Sequence, residues 1–247
     1  MDLSEFPARP FRRHPWEEAR FRFLYEVLRA AGLDRGAAQV LDVGAGDAWF
    51  ASQLLQRMPP GTEITCWDTG YASGVPDTTP AGVRFVSTPP AGRFDVLLLL
   101  DVLEHIEDDG PFIARIVADS LRSGAAVLVT VPAWPSLFGR HDMGLKHFRR
   151  YRPTECARLL ELAGLDVIER GGLFHAPLLA RAAAGVLDRA RRPATTGPEL
   201  LQWTHGALSA RMVGAGLALD IRMSSWFSRL GIDVPGLTWW ARCRKRS

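Results

Sequence analysis

Val40-Leu-Asp-Val-Gly-Ala-Gly-Asp47 constrains this chain more than any other stretch. An apolar run closes on the carboxylate of Asp42 and breaks at once into a Gly-x-Gly turn at Gly44 and Gly46. A strand, a tight glycine turn and a following helix make up one half of a nucleotide-binding unit. The glycines let backbone approach a ligand closely, and the first helical turn presents unpaired N–H groups. A dinucleotide fingerprint needs a third glycine three residues after the second, and Trp49 stands there. No Lys-Ser/Thr pair follows the turn, so a P-loop is excluded. What remains is a glycine turn preceded by an acid, which suits a cationic amine better than a diphosphate.

Further apolar runs repeat at intervals. Ile64-Thr-Cys-Trp67 ends in a second carboxylate, Asp68, placed roughly 20 residues beyond the turn, where an acid suits a ribose diol. Asp68-Thr69-Gly70 also reads as a turn, which does not conflict with binding a diol. Strands are expected at about 40–43, 64–67, 83–86, 94–100, 126–131, 166–170 and 237–243. Helices are expected at about 15–31, 47–57, 107–121 and 154–164. The first is amphipathic, with Trp16, Phe23, Leu24, Val27 and Leu28 on one side. Such alternation implies an α/β fold whose largely parallel sheet is covered on both faces. The stretch from Thr69 to Gly82 is rich in Gly, Pro, Ser and Thr and reads as a loop. Between strands six and seven lie two helical runs, broken by Pro193-Ala-Thr-Thr-Gly-Pro198.

Three markers in order, the Asp42–Gly44–Gly46 turn, Asp68 and the segment Phe94 to Ile106 containing Val-Leu-Glu-His, resemble the class I S-adenosylmethionine (SAM)-dependent methyltransferases. The resemblance is closest to the group related to ubiquinone-biosynthesis methyltransferases and runs from about Pro15 to about Gly172, resuming at the last strand. It implies a Rossmann-like sheet of seven strands, the seventh slotting in antiparallel between the fifth and sixth. It implies that Asp42, Gly44 and Gly46 touch the methionine end of SAM, that Asp68 and Thr69 hold the ribose, and that Asp101 lines the cofactor. Two departures stand out: a loop at 69–82 where most relatives carry a helix, and Thr88 where an acid usually meets the adenine amine. The whole chain, 1–247, reads as one methyltransferase domain. It comprises a cofactor-binding core over 15–172, a helical cap over 173–235 that would close and shape a dry pocket, and a final strand over 236–247.

Composition narrows the setting. Nearly half the chain is apolar (47%), enough for a large core. Cys66, Cys156 and Cys243 lack pairing or metal spacing, which favours a reducing cytoplasm. No signal peptide and no run long enough to span a membrane is visible. The net charge is +3, carried almost wholly by arginine, without the arginine–aromatic pattern of a nucleic-acid module. A small-molecule substrate is therefore expected, acting on a monomer or homodimer. Attachment to an anionic membrane surface through the 173–192 helix is the less favoured reading.

Methyl transfer from a sulfonium is an in-line displacement with a neutral leaving group, so orientation alone supplies several kcal/mol. A base is needed only where the acceptor must lose a proton. Candidates cluster after strand five, in the long polar loop from Val131 to Tyr151. Its His-Phe-Arg-Arg-Tyr run also occurs, by resemblance, in a bacterial subgroup found beside sugar- and lipid-modifying enzymes. His147 and His105 are the candidate catalytic residues; Arg149, Arg150 and Tyr151 are candidates for binding substrate. The competing readings are a loop-fixing hydrogen bond for His147, pairing of an arginine with an acid such as Glu155, and packing for Tyr151. Asp101, Glu104 and His105 fall at i, i+3 and i+4 and, with His147, offer an O,O,N,N set to a divalent metal. That set resembles the metal site of small-RNA 2′-O-methyltransferases, although many relatives work without a metal; a metal is allowed, not favoured. Arg20, on the first helix, is placed to meet the methionine carboxylate if that helix folds over as a lid. The leading expectation is methylation of an O or N acceptor on a natural-product, sugar or lipid-linked intermediate. Metal-dependent RNA 2′-O-methylation and non-catalytic SAM binding are the alternatives.

Overall fold

Seven apolar runs become seven hydrogen-bonded strands. The computed structural model describes residues 13–75, 81–179, 213–217, 219–221, 226–227 and 234–247. The strands are β1 (Gln39–Val43), β2 (Glu63–Trp67), β3 (Val83–Val86), β4 (Phe94–Leu100), β5 (Leu121–Pro132), β6 (Leu165–Leu173) and β7 (Thr238–Lys245). They form one sheet in the order β3-β2-β1-β4-β5-β7-β6. Pairing is parallel from β3 through β5, while β7 runs antiparallel to both β5 and β6. The Rossmann-like sheet with an antiparallel last strand is thus the one expected.

Strand alternation splits the core in two. Leu41, Leu97, Leu99, Val127, Val129 and Trp239 face one side of the sheet. There α3 (Asp109–Ser120) contributes Ile113, Ile116 and Val117, and α5 (Pro153–Leu162) contributes Cys156, Ala157 and Leu160. Val40, Ile64, Val96, Leu98, Leu128 and Trp240 face the other. That side is covered by α1 (Pro15–Ala30) and α2 (Trp49–Leu55). Burying each large apolar side chain contributes about 1.5–3 kcal/mol. Both faces are covered, so strands such as Leu97–Leu99 stay apolar throughout.

Several boundaries differ from expectation, three of them for a local reason. The helix after the glycine turn starts at Trp49 rather than 47, because Gly46 (φ 53) and Ala48 (φ 54) are left-handed and only the Asp47 side chain caps the Trp49 N–H at 3.2 Å. Strand β5 begins at Leu121, five residues early, across a register shift against β4. The expected loop at 69–82 opens with a short 3-10 turn, Thr69–Ala72, capped by Asp68, and residues 76–80 lie outside the described set. Most of the helical segment expected at 173–235 also lies outside it. Its two ends are described and meet tightly. A Cβ on Gly172 would stand 2.3 Å from the Gly236 nitrogen and 2.4 Å from the Val234 oxygen.

Candidate active site

The chain passes from β1 outward to β2 and β3, then returns to place β4 on the other side of β1. This reversal is the switch point at which open α/β sheets bind ligands, beyond the carboxyl ends of their strands. The register puts Asp42 beside Cys66 and Leu98, so the tips of β1, β2 and β4 form one rim. Gly44 leaves β1 with φ 64, and its N–H bonds the Trp67 carbonyl at 2.7 Å. A Cβ there would lie 2.9 Å from Val102 Cγ2, so only glycine fits. Asp68 spans the rim: Oδ2 accepts the Gly46 N–H at 3.0 Å and Oδ1 the Gly70 N–H at 2.8 Å. Thr69 opens the 3-10 turn directly behind it.

A cleft at this rim is lined by Asp42, Gly44, Ala45, Asp47 and Leu100 from the sheet side and by Arg13, Glu17 and Arg20 from the helix side. Helix α1 is thus already laid across the opening. Arg13 pairs with both Glu17 and Asp47, and Arg20 pairs with Asp101. Trp49, the residue in place of a third glycine, holds this helix: Phe21 packs on it at 5.6 Å and the Arg13 guanidinium lies 4.7 Å over its ring. Asp42 is buried in the cleft. Burial, with the nearby Asp68 charge adding to it, pushes its carboxyl up to about 7. A carboxylate so desolvated gains most from an arriving cation.

The structure corrects the four-residue metal set. Asp101 takes φ 58 and breaks the helical turn, so its side chain leaves the face shared by its neighbours. Its carboxylate accepts from Thr130 Oγ1 at 2.8 Å and pairs with Arg20. Burial opposes ionisation of Asp101, yet the Arg20 charge and the Thr130 bond outweigh it and hold the carboxyl below its usual value. Arg20 in this structure therefore meets Asp101, the group expected to line the cofactor. Glu104, His105 and His147 do come together, with one ligand atom from each within 4.8 Å of the others. The Glu104 side chain is fully buried and neither oxygen has a hydrogen-bond partner among the described residues. Burial, then the Asp101 charge, raises its carboxyl well above the ordinary range.

The loop after β5 is tied down at its base and its middle. The Tyr151 N–H bonds Pro132 O and the Trp134 N–H bonds Tyr151 O, each at 2.9 Å, while the Phe148 N–H reaches Glu104 O at 2.8 Å. These bonds set His147 against His105, ring to ring at 4.6 Å. The other three loop candidates make contacts within the protein. Arg149 pairs with Asp109 at 3.3 Å and donates to Glu107 O. Arg150 is buried, donating from Nε to Asp142 at 2.7 Å and from Nη1 to Ala133 O at 3.2 Å. The Tyr151 hydroxyl donates to the Asp109 carboxylate at 2.7 Å and lies 2.9 Å from Leu103 O. Three site residues went unread in the sequence: Arg13, Asp47 and Asp142. Asp142 had one local signal, a carboxylate three residues after Gly139 at the start of the short helix α4 (Arg140–Gly144).

Fold and rim together define an α/β protein of the nucleotide-binding kind, with acids on the tips of two neighbouring strands. A family model described as a methyltransferase domain matches residues 16–170, and the chain belongs to that family as a class I SAM-dependent methyltransferase. Ubiquinone biosynthesis O-methyltransferase of Hahella chejuensis is 26% identical over 211 residues, covering 72% of this chain and 87% of that one. Its counterpart in Xanthomonas axonopodis pv. citri is 28% identical over 204 residues, covering 72% and 81%. Among solved structures, a Burkholderia thailandensis 1,6-didemethyltoxoflavin-N1-methyltransferase superposes with a TM-score of 0.50 at 18% identity, covering 92% of this chain and 78% of its own. The cyclase SpnF superposes at 0.53 with 16% identity, covering 99% and 90%. A cyclase and an N-methyltransferase on one fold show that the site, not the sheet, must decide the reaction.

Proposed function

We propose that this enzyme methylates the oxygen of a hydroxyl group on a small molecule, with His147 as the base that takes the hydroxyl proton. The carrying observation is an imidazole held by a buried carboxylate and set against His105, in the segment that follows the β4 tip. A hydroxyl needs such a base, whereas a neutral amine does not. Similarity to ubiquinone biosynthesis O-methyltransferases supports an O acceptor. The residues fit SAM. Asp42 supplies the acid for its ammonium, Gly44 the side-chain-free turn, Asp68 an acid for the ribose diol, and Arg13 and Arg20 the cations for its carboxylate. When bound, SAM supplies a methyl group on a sulfonium, whose departure leaves a neutral thioether. Arg20 then has two acids within its reach, Asp101 and the carboxylate of SAM.

Two variants test this. Asp68→Ala is expected to weaken calorimetric SAM affinity while far-ultraviolet circular dichroism stays unchanged; unaltered affinity removes the ribose role. His147→Ala is expected to lower turnover about 100-fold or more with SAM affinity intact. Full turnover leaves His147 only a loop-fixing part.

One observation favours a second reading. A fully buried glutamate with no partner among the described residues, beside two histidines, is an unsatisfied donor set that a divalent cation would complete. Calorimetric titration with Zn2+, Mn2+ and Mg2+ in turn tests it. Heat from none of them, with chelator-insensitive turnover, disposes of the metal and of the RNA reading that leaned on it.

A further inference from the structure

His147 is gripped twice by a residue five positions earlier. Its backbone N–H bonds Asp142 O at 2.9 Å, and its ring Nδ1 lies 3.3 Å from Asp142 Oδ1. The Asp142 side chain is fully buried and is faced by donors from Gly139, Arg150 and His147. Oδ2 accepts the Gly139 N–H at 2.9 Å, and Oδ1 accepts Arg150 Nε at 2.7 Å as well as facing His147. The Arg150 guanidinium and the Gly139 N–H both face this carboxyl, so it keeps its negative charge in the interior. An ionised carboxylate only accepts, so Nδ1 must carry the hydrogen of this contact. A neutral imidazole carries one N–H, which leaves the lone pair on Nε2, on the far side of the ring.

We propose that Asp142 is a positioning residue for methyl transfer: it fixes the His147 tautomer with Nδ1 protonated, so that Nε2 is the nitrogen that accepts the substrate proton. This rests on the reading of His147 as the base. The step balances. The hydroxyl proton moves to Nε2, an oxygen lone pair forms the O–C bond, the C–S electron pair stays on sulfur, and the imidazolium later passes its proton to water. Arg150, spent inside the protein rather than on substrate, keeps Asp142 charged beside an imidazole that turns cationic. Removing a carboxylate from behind a catalytic histidine elsewhere lowers turnover by presenting the wrong tautomer.

Long-range 1H–15N spectra in mildly alkaline buffer read the tautomer directly, with His147 assigned by comparison with His147→Gln. The unsubstituted protein is expected to show a protonated Nδ1 and a bare Nε2; the reverse pattern overturns the proposal. In Asp142→Asn the amide can donate to Nδ1, and the hydrogen is expected to move to Nε2. With 3,4-dihydroxybenzoate as the acceptor probe, kcat of Asp142→Asn is expected to fall about 100-fold or more at unchanged KM and SAM affinity. Asp142→Glu is expected to restore part of it. Unchanged kcat in Asp142→Asn defeats the proposal. Should that variant fail to fold, the tautomer of the unsubstituted protein decides alone. Full kcat in His147→Gln sinks the base reading, even where the Asp142 contact stands.

Discussion

Asp42→Asn should make the cofactor-free protein more stable while making it a poorer binder of SAM. The buried carboxyl, raised from 3.8 to about 7, is a group whose charge the fold resists. By linkage, a rise of that size is worth about 4 kcal/mol at neutral pH and above. The sign follows from which state binds the proton. Below about pH 4 both folded and unfolded Asp42 are protonated and nothing is lost. Between about pH 4 and 7 the unfolded chain ionises first, so stability drains away as pH rises. Above about 7 both states are ionised and the loss is constant. Asparagine removes the charge at almost the same size. Against the gain stands about 1–3 kcal/mol for an amide N–H left without an acceptor. The expected net is a stabilisation of about 1–3 kcal/mol at pH 8, on the order of 10 °C in Tm at most, shrinking to nothing or reversing near pH 4. Urea unfolding of both proteins across pH 4 to 8 without SAM measures it. Calorimetry supplies the other half: SAM affinity of the natural protein should climb from pH 6 to 8, while the variant binds about 10- to 100-fold more weakly with a flat profile. A variant less stable than the parent at pH 8, or a gap that ignores pH, refutes the view of Asp42 as a carboxylate awaiting a cation.

Two other substitutions probe the lid and the frame. Arg20→Ala should weaken SAM binding about tenfold or more and release Asp101, seen as faster proteolysis of α1 in the absence of cofactor; equal proteolysis means the Arg20–Asp101 pair does not hold the helix. Gly172→Ala drives a Cβ into the backbone of Gly236 and Val234, so a loss above about 3 kcal/mol in chemical unfolding is expected. A loss under about 1 kcal/mol means the two ends of the segment before β7 are not packed as described.

Much of this architecture could be read from local pattern, because its causes are local. Strands β3 and β4 fall on the residues expected, and β1 and β2 within one residue, since the short apolar run that marks a strand is a local signal. The order of acids at strand tips could be read for the same reason: Asp42 and Asp68 each end such a run. Asp101 could not be placed, because the partners that hold its side chain, Thr130 and Arg20, lie 29 and 81 residues away. Of the four residues offered to a metal, the fold gathers Glu104, His105 and His147. Arg149 and Arg150 read as substrate-binding cations from a sequence that shows the charges and not the acids they meet in the fold, the half-buried Asp109 and the buried Asp142.

Composition and periodicity thus determined the sheet, its two covered faces and the glycine turn that admits a cofactor, since hydrophobic burial and backbone sterics act over a few residues at a time. Tertiary packing alone decided which acid meets which base: Arg13 with Asp47, Arg20 with Asp101, and Arg150 and His147 with Asp142. An ion pair leaves no period in the chain. Its partners are chosen by the folded surface that brings them within reach, and by the cost of burying either one unpaired.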